Sequence, residues 1–185
     1  MRLYLRNRMS DKFQNKYRIP PARAQWWDYS SAGAYFVTIC TSGMECYFGE
    51  VLNGEMSLSD IGKIVESEWL KTFEMRPDMN LEMGEYVVMP NHFHAIIIIG
   101  NNVFNANNSS EADIHNKFGA QSKNLASIIG GFKSAITRKA LVINSEFAWQ
   151  SSYHEHIIKN AESFENIIKY IINNPDKWME DRFFR

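Results

Sequence analysis

The stretch YVVMPNHFHAIIIIG, from Tyr86 to Gly100, constrains the fold more than any other. Ala95 is followed by Ile96, Ile97, Ile98 and Ile99, and β-branched side chains in series favour a strand. Residues that are apolar without alternation belong to a strand buried on both faces. Pro90 lacks a backbone donor and, with Asn91, marks a turn. The stretch therefore reads as two strands, LEMGEYVVMP and HFHAIIIIG, meeting at Pro90-Asn91. Two imidazoles, His92 and His94, stand at the mouth of the second strand.

The rest of the chain supplies the layers such a strand needs. GAYFVTICTS (33–42) is another buried-strand pattern, and CYFGEVLNGEMSLS reads as a hairpin turning at Asn53-Gly54. In SLSDIGKIVESEWLKTFEMRP, Ile61, Ile64, Val65, Trp69 and Phe73 share one helical face; Ser57 or Ser59 can cap it and Pro77 closes it. NNVFNANNSSEADIHNK (101–117) reads as a polar loop. NLASIIGGFKSAITRKAL is a helix with Leu125, Ile128, Ile129, Phe132 and Ile136 on one face, weakened at Gly130-Gly131 by about 1 kcal/mol per glycine. YHEHIIK is a strand, and NAESFENIIKYIINNP a last helix stopped by Pro175. This order predicts an α+β fold with an antiparallel sheet covered by helices. The 185 residues, 45% hydrophobic, suit one domain (1–185) with a basic N-terminal arm at 1–28. No apolar run approaches the roughly 18 residues of a membrane span. The basic N-terminus lacks the apolar core of a secretory signal. Cys40 and Cys46 make no disulfide framework, so a reducing, cytoplasmic setting is expected.

Strand side chains alternate, so His92 and His94 share a face, about 7 Å apart along the strand at ~3.3 Å per residue. A single histidine at a strand end is ordinarily a satisfied polar residue. Two beside a buried run need partners, and a divalent cation is one that serves both. His154 and His156 repeat the spacing. Four histidines would suit a zinc hydrolase, a reading that also calls for a nearby carboxylate as bridge or base; Glu155 points to the opposite face.

The last helix centres its apolar stripe on Phe164, Ile167, Ile168, Ile171 and Ile172, and Tyr170 lies roughly 130° from that centre. Asn166 and Asn174 flank Tyr170 at i−4 and i+4 on the same polar face. An exposed surface tyrosine is the plain reading; a presented nucleophile is the other, with Tyr153 as its competitor.

Net charge is −1, yet it is unevenly spread. Residues 1–25 hold Arg2, Arg6, Arg8, Lys12, Lys16, Arg18 and Arg23 against Asp11 alone. Residues 117–139 hold Lys117, Lys123, Lys133, Arg138 and Lys139 with no acid. Such patches attract phosphate whatever the total charge, although a solvated helix face has the same composition.

YVVMPNHFHAIIII followed by WQSSYHEHIIKNAESFENIIKYIINNPDKW resembles the HUH single-tyrosine transposases, and in particular the REP-associated tyrosine transposases. DYSSAGAYFVTICT, GEVLNGEMSLSDIGKIVESEW and GGFKSAITRK are also similar to that branch, so the likeness runs from about Asp28 to Trp178. It implies a ferredoxin-like or RRM-like antiparallel sheet backed by helices. Carried over by position, His92 and His94 match the metal-binding pair and Tyr170 the nucleophile. Asn174 falls where relatives place a third, Gln or Asn, ligand. His156 matches a recurring histidine that could support the fold or touch DNA. The implied activity is cleavage and rejoining of single-stranded DNA at palindromic hairpins, through a 5′-phosphotyrosine, with Mg²⁺ or Mn²⁺. DNA contacts are expected from Arg18, Arg23, Lys123, Lys133, Arg138 and Lys139. A nucleoid-associated protein, monomeric or homodimeric and not membrane-bound, is implied. A metal-dependent hydrolase using both His pairs, and a hairpin-binding module without activity, are the alternatives.

Overall fold

The computed structural model describes residues 12–13, 16–17, 27–106 and 122–184. Strands β1 (Lys12–Phe13) and β2 (Lys16–Tyr17) form a small antiparallel ladder. After β3 (Gly33–Cys40) comes the hairpin of β4 (Gly49–Leu52) and β5 (Glu55–Leu58). Its turn is Asn53-Gly54, with φ of 54° and 80°. These left-handed values match the twist of a two-residue hairpin and explain the residue types. Helix α1 (Asp60–Glu74) begins where Ser59 accepts from the Gly62 amide. Strands β6 (Leu81–Met89) and β7 (His92–Ile99) are separated only by Pro90 and Asn91. Helix α2 (Leu125–Ile143) opens on a reciprocal cap between Asn124 and Ser127. Then follow β8 (His154–Ile158) and α3 (Ala161–Ile172), which Asn160 caps. Among the described residues, no helix is long and apolar enough to cross a membrane.

The main sheet has the order β6-β7-β3-β8, with every neighbouring pair antiparallel. The units β3-α1-β6 and β7-α2-β8 each skip one strand, and they interleave. This is the ferredoxin-like βαββαβ arrangement, as expected. Right-handed crossovers bring both helices to one face, and α1 packs against α2 there. Beneath them Trp69, Phe93 and Phe132 form a mutual ring cluster with centroids 5.1 to 5.3 Å apart. Phe93 points into this core, so His92 and His94 must point to the opposite face, where α3 packs against β6.

Helix α2 runs unbroken through Gly130-Gly131, as the periodicity reading has it, and the second glycine leaves room for Arg76: a Cβ on Gly131 would stand 2.7 Å from its guanidinium. Arg76 uses that space to donate to the Ser127 carbonyl at 3.1 Å, tying the end of α1 to α2. On α3 the stripe is only partly buried: Ile171 is covered but Ile172 is 59% exposed. The helix ends there, and the chain turns away.

Helices α1 and α2 are also joined by charge. The Glu68 side chain is 6% exposed and accepts from Lys139 at 2.5 Å and Lys71 at 3.4 Å. The Lys139 hydrogen bond is the main reason its carboxyl titrates below the usual 4.5. A depressed folded-state value stabilises above the unfolded one, so the gain is complete above pH 4.5. It is lost as pH falls through the folded value. Glu68→Gln is expected to cost about 1–3 kcal/mol at pH 7 by denaturant unfolding. The gap to the parent should close on acidification, and a gap independent of pH would refute the charge argument.

Candidate active site

The two-residue link before β7 fixes the first imidazole. Asn91 is fully buried, and its Nδ2 donates to the carbonyls of Met44 (3.1 Å) and Phe183 (2.9 Å). Its Oδ1 must therefore face His92 Nδ1, 2.9 Å away, and accept from it. This sets the tautomer: Nδ1 carries the proton and Nε2 keeps a lone pair. His92 Nε2 is buried with no hydrogen-bond partner. His94 has a hydroxyl on each nitrogen, Thr38 Oγ1 at 2.8 Å from Nδ1 and Tyr170 Oη at 3.2 Å from Nε2. Tyr170 has one proton, which Asp181 accepts, so the tautomer donating from Nε2 to Tyr170 satisfies the resting site, and holding a cation on Nε2 calls for the tautomer that donates to Thr38. The rings lie 4.5 Å apart by centroid.

The C-terminal residues close the site. Helix α3 ends at Ile172, so Asn174 lies past it, in a turn where its amide donates to the Ile171 carbonyl. The side chain is buried; Nδ2 donates to Asp181 Oδ2 at 3.0 Å, while Oδ1 has no partner. Asp181 Oδ2 also accepts from Tyr170 Oη at 3.3 Å, and Oδ1 from the Phe183 amide at 2.8 Å. Phe183 packs on His92 with centroids 4.5 Å apart and the rings tilted by 42°, and the Arg182 guanidinium sits 4.5 Å over the Phe183 ring. His92, His94 and Asp181 offer ligand atoms within 4.8 Å of one another.

The set fits a divalent cation. Two buried atoms carrying lone pairs, His92 Nε2 and Asn174 Oδ1, have no other use. The imidazoles are also kept neutral, as ligands must be. Burial pulls His92 down to about 4, with Asp181 opposing and Arg182 assisting. Burial, then His92 and Arg182, hold His94 well below its usual range. Tyr170 goes the other way: burial and then Asp181 raise it above 10, partly offset by Asn174 and Arg182.

The other expected residues fall elsewhere. Thr38 pairs with His94 on one side and His154 on the other, which leaves His154 and His156 on the edge strand, exposed and outside the cluster. Tyr153 precedes β8 and packs against the core on the opposite side of the sheet from the His pair. Lys139 is bound to Glu68, Lys123 pairs with Asp78, and Lys133 donates to the Gln150 carbonyl at 2.7 Å. Arg138 lies on the same helix as Lys133 and Lys139; Arg18 and Arg23 are outside the described residues. Asp181, Arg182 and Phe183 were not legible in the sequence. They follow Pro175 in a segment with no periodicity, where DRFF was the only signal.

Manganese is expected to raise the melting temperature, by the equivalent of about 2.7 kcal/mol at a hundredfold excess over Kd. His92→Ala and His94→Ala should abolish the rise. Thr38→Val, which removes only the hydroxyl on His94 Nδ1, should weaken binding about 10- to 100-fold. An unchanged rise in both histidine variants would mean that the metal binds elsewhere.

No protein-family model matches the chain. Its fold is similar to that of a REP-associated tyrosine transposase solved bound to a REP hairpin, with a TM-score of 0.56 and 19% identity. That match covers 88% of this chain and 73% of the other. The ferredoxin-like sheet with its covering helices is thus the fold of that transposase. A Haemophilus influenzae protein of uncharacterized function is 36% identical over 168 residues, which are 88% of this chain and 91% of that protein. At that identity over nearly the whole of both, the chain belongs to the same family as the Haemophilus influenzae protein.

Proposed function

We propose that this chain is a metal-dependent endonuclease and strand transferase that cuts single-stranded hairpin DNA with Tyr170 as nucleophile. One observation carries the reading: within a single chain, the Tyr170 hydroxyl lies 3.2 Å from His94 Nε2 and 3.3 Å from an Asp181 carboxylate oxygen. A tyrosine that merely decorated the surface would have no reason to meet a buried imidazole and a carboxylate together. The fold it shares with a hairpin-bound transposase supports the substrate class.

His92 Nε2, His94 Nε2, Asn174 Oδ1 and Asp181 would hold the cation. A mixed nitrogen and oxygen set suits Mn²⁺ and accepts Mg²⁺. When bound, the ion polarises the phosphate and offsets its charge. The protein's own part concerns the phenol proton. From the ordinary value of 10, ionising a tyrosine at pH 7 costs roughly 4 kcal/mol, and the resting site makes it harder. Asp181 Oδ2 already accepts the Tyr170 hydrogen bond, so it is the acceptor at hand as Oη attacks phosphorus. The P–O3′ bond breaks, and the departing oxygen takes a proton to become a 3′-hydroxyl. The strand stays on Tyr170 as a 5′-phosphotyrosine. Because that link is itself a phosphodiester, a 3′-hydroxyl can reverse the step without ATP.

Basic side chains would contact the stem. Lys123 can exchange Asp78 for a phosphate at little cost, since their pair is open to solvent. Lys139 would leave the buried Glu68 carboxylate with Lys71 alone. Arg138, Lys133, Arg18 and Arg23 complete the set of candidate phosphate contacts.

Incubation with hairpin DNA and Mn²⁺ should trap a covalent adduct that survives denaturing electrophoresis. Tyr170→Phe should bind the hairpin and give none; an adduct in that variant would sink the assignment. Asp181→Asn should slow adduct formation about 10²- to 10⁴-fold. Hairpin affinity with no cleavage under any metal would favour a pure binding module. Affinity should fall as salt rises, by nearly one log-log unit per phosphate contacted.

A further inference from the structure

The strand register divides the catalytic face of the sheet into two halves. Phe36 pairs with Ile96 and His156, and Thr38 with His94 and His154, so all of these project from the same face. Helix α3 and the C-terminal turn cover the β6-β7 half. On the β3-β8 half lies a cavity of about 430 Å³, lined by Phe36, Thr38, His154, His156, Arg182 and Phe183 among others. Its size is within the roughly 300–1,000 Å³ of ordinary ligand sites. The cavity shares a wall with the active site. The Phe36 ring stacks on His94, 5.2 Å by centroid and 27° from parallel, and meets Tyr170 edge-on at 6.1 Å. A second cavity of about 340 Å³ is lined by Tyr170 and Asp181 themselves, with Lys169 and Lys177 also in its wall.

We infer that the cavity beside Phe36 seats one unpaired nucleobase adjoining the scissile phosphate, stacked against Phe36 and His156, with Arg182 on the neighbouring phosphate. This rests on the strand-cleavage reading. The chemistry matches a base rather than a second metal. His154 and His156 are exposed, and among the described residues no carboxylate or thiol joins them in a ligand cluster. A half-buried ring and two flat imidazoles offer π faces, which every base can use and which need no pairing edge. A base inside a duplex has both faces occupied, so only an unpaired one can enter. Arg182 is exposed in the wall of this cavity, with its guanidinium 4.5 Å over the Phe183 ring, so it stands on the side from which a phosphate would enter. Two cavities flanking one nucleophile suit a strand that crosses it, with a nucleotide on either side of the bond to be broken.

The test is equilibrium binding, by fluorescence anisotropy, in the Tyr170→Phe background, where no cleavage intervenes. The probe is a hairpin with a single-stranded extension, made abasic at one position at a time. One abasic position should weaken binding about tenfold. His156→Ala should weaken the intact probe by a similar factor, make that position indifferent, and leave the affinity for an extension-free hairpin and for Mn²⁺ unchanged. Phe36→Trp should retain the abasic sensitivity. No sensitive position, or abasic and His156→Ala losses that simply multiply, would overturn the base seat. The adduct assay with Tyr170 intact reads the cleavage chemistry separately. A sensitive position without an adduct keeps the seat and removes the nuclease; an adduct without a sensitive position does the reverse.

Discussion

The side chain of Asn91 holds together three parts of the protein that are far apart in sequence. Its amide donates to a carbonyl after β3 and to one at the C-terminus, and its oxygen accepts from His92. The backbone oxygen of the same residue takes the Thr41 amide and hydroxyl. A fully buried amide with every polar atom engaged tolerates no slippage, because each lost bond leaves a desolvated group behind. The β6-β7 turn, the end of β3 and the C-terminal turn are therefore locked to one geometry. His92 is aimed as a consequence, with its free nitrogen turned toward Asn174 and Asp181.

The sheet behind that turn works as a partition. One face carries Trp69, Phe93 and Phe132 with the two crossover helices and needs no polar group. The other face carries the imidazoles, under a lid of α3, Trp178 and Phe183. Burial makes charging the imidazoles costly, so they remain lone-pair donors. The same burial makes the Tyr170 phenol reluctant to ionise, and Asp181 adds to the reluctance. Side chains that can hold a cation, beside a phenol that resists ionisation, are the pairing that the proposed nucleophile role requires. Neither half of the site accomplishes much without the other.

Much of this was legible before any coordinates. The isoleucine run, the Asn53-Gly54 turn, the Ser59 cap and the apolar faces of α1 and α2 are signals between residues within a few positions of one another. Alternation alone told that His92 and His94 share a face opposite Phe93. Helical spacing separated Tyr170 from its apolar neighbours. Local signals were poorer guides where the helix stopped. Asn174 acts from a turn beyond α3, and the stripe that included Ile172 overran the helix end. The lysines of residues 117–139 looked like one basic patch, yet Lys139 and Lys123 meet Glu68 and Asp78 from other elements. Composition cannot show which charges are already paired.

The sequence by itself determined the layers: which segments are strands and helices, which residues face inward, that two imidazoles share one strand face, and that a tyrosine lies off the apolar stripe of the last helix. These follow from propensity and periodicity, which act over one or two turns of chain. Only the tertiary structure decided that Tyr170 reaches His94 in the same chain, across 76 residues, and that Asp181 completes the cluster. It also decided that His154 and His156 stand apart from the first pair, because β3 lies between the two strands. The physical reason is that such meetings depend on strand order and on how the C-terminal turn folds back onto Asn91, and no neighbour along the chain records either.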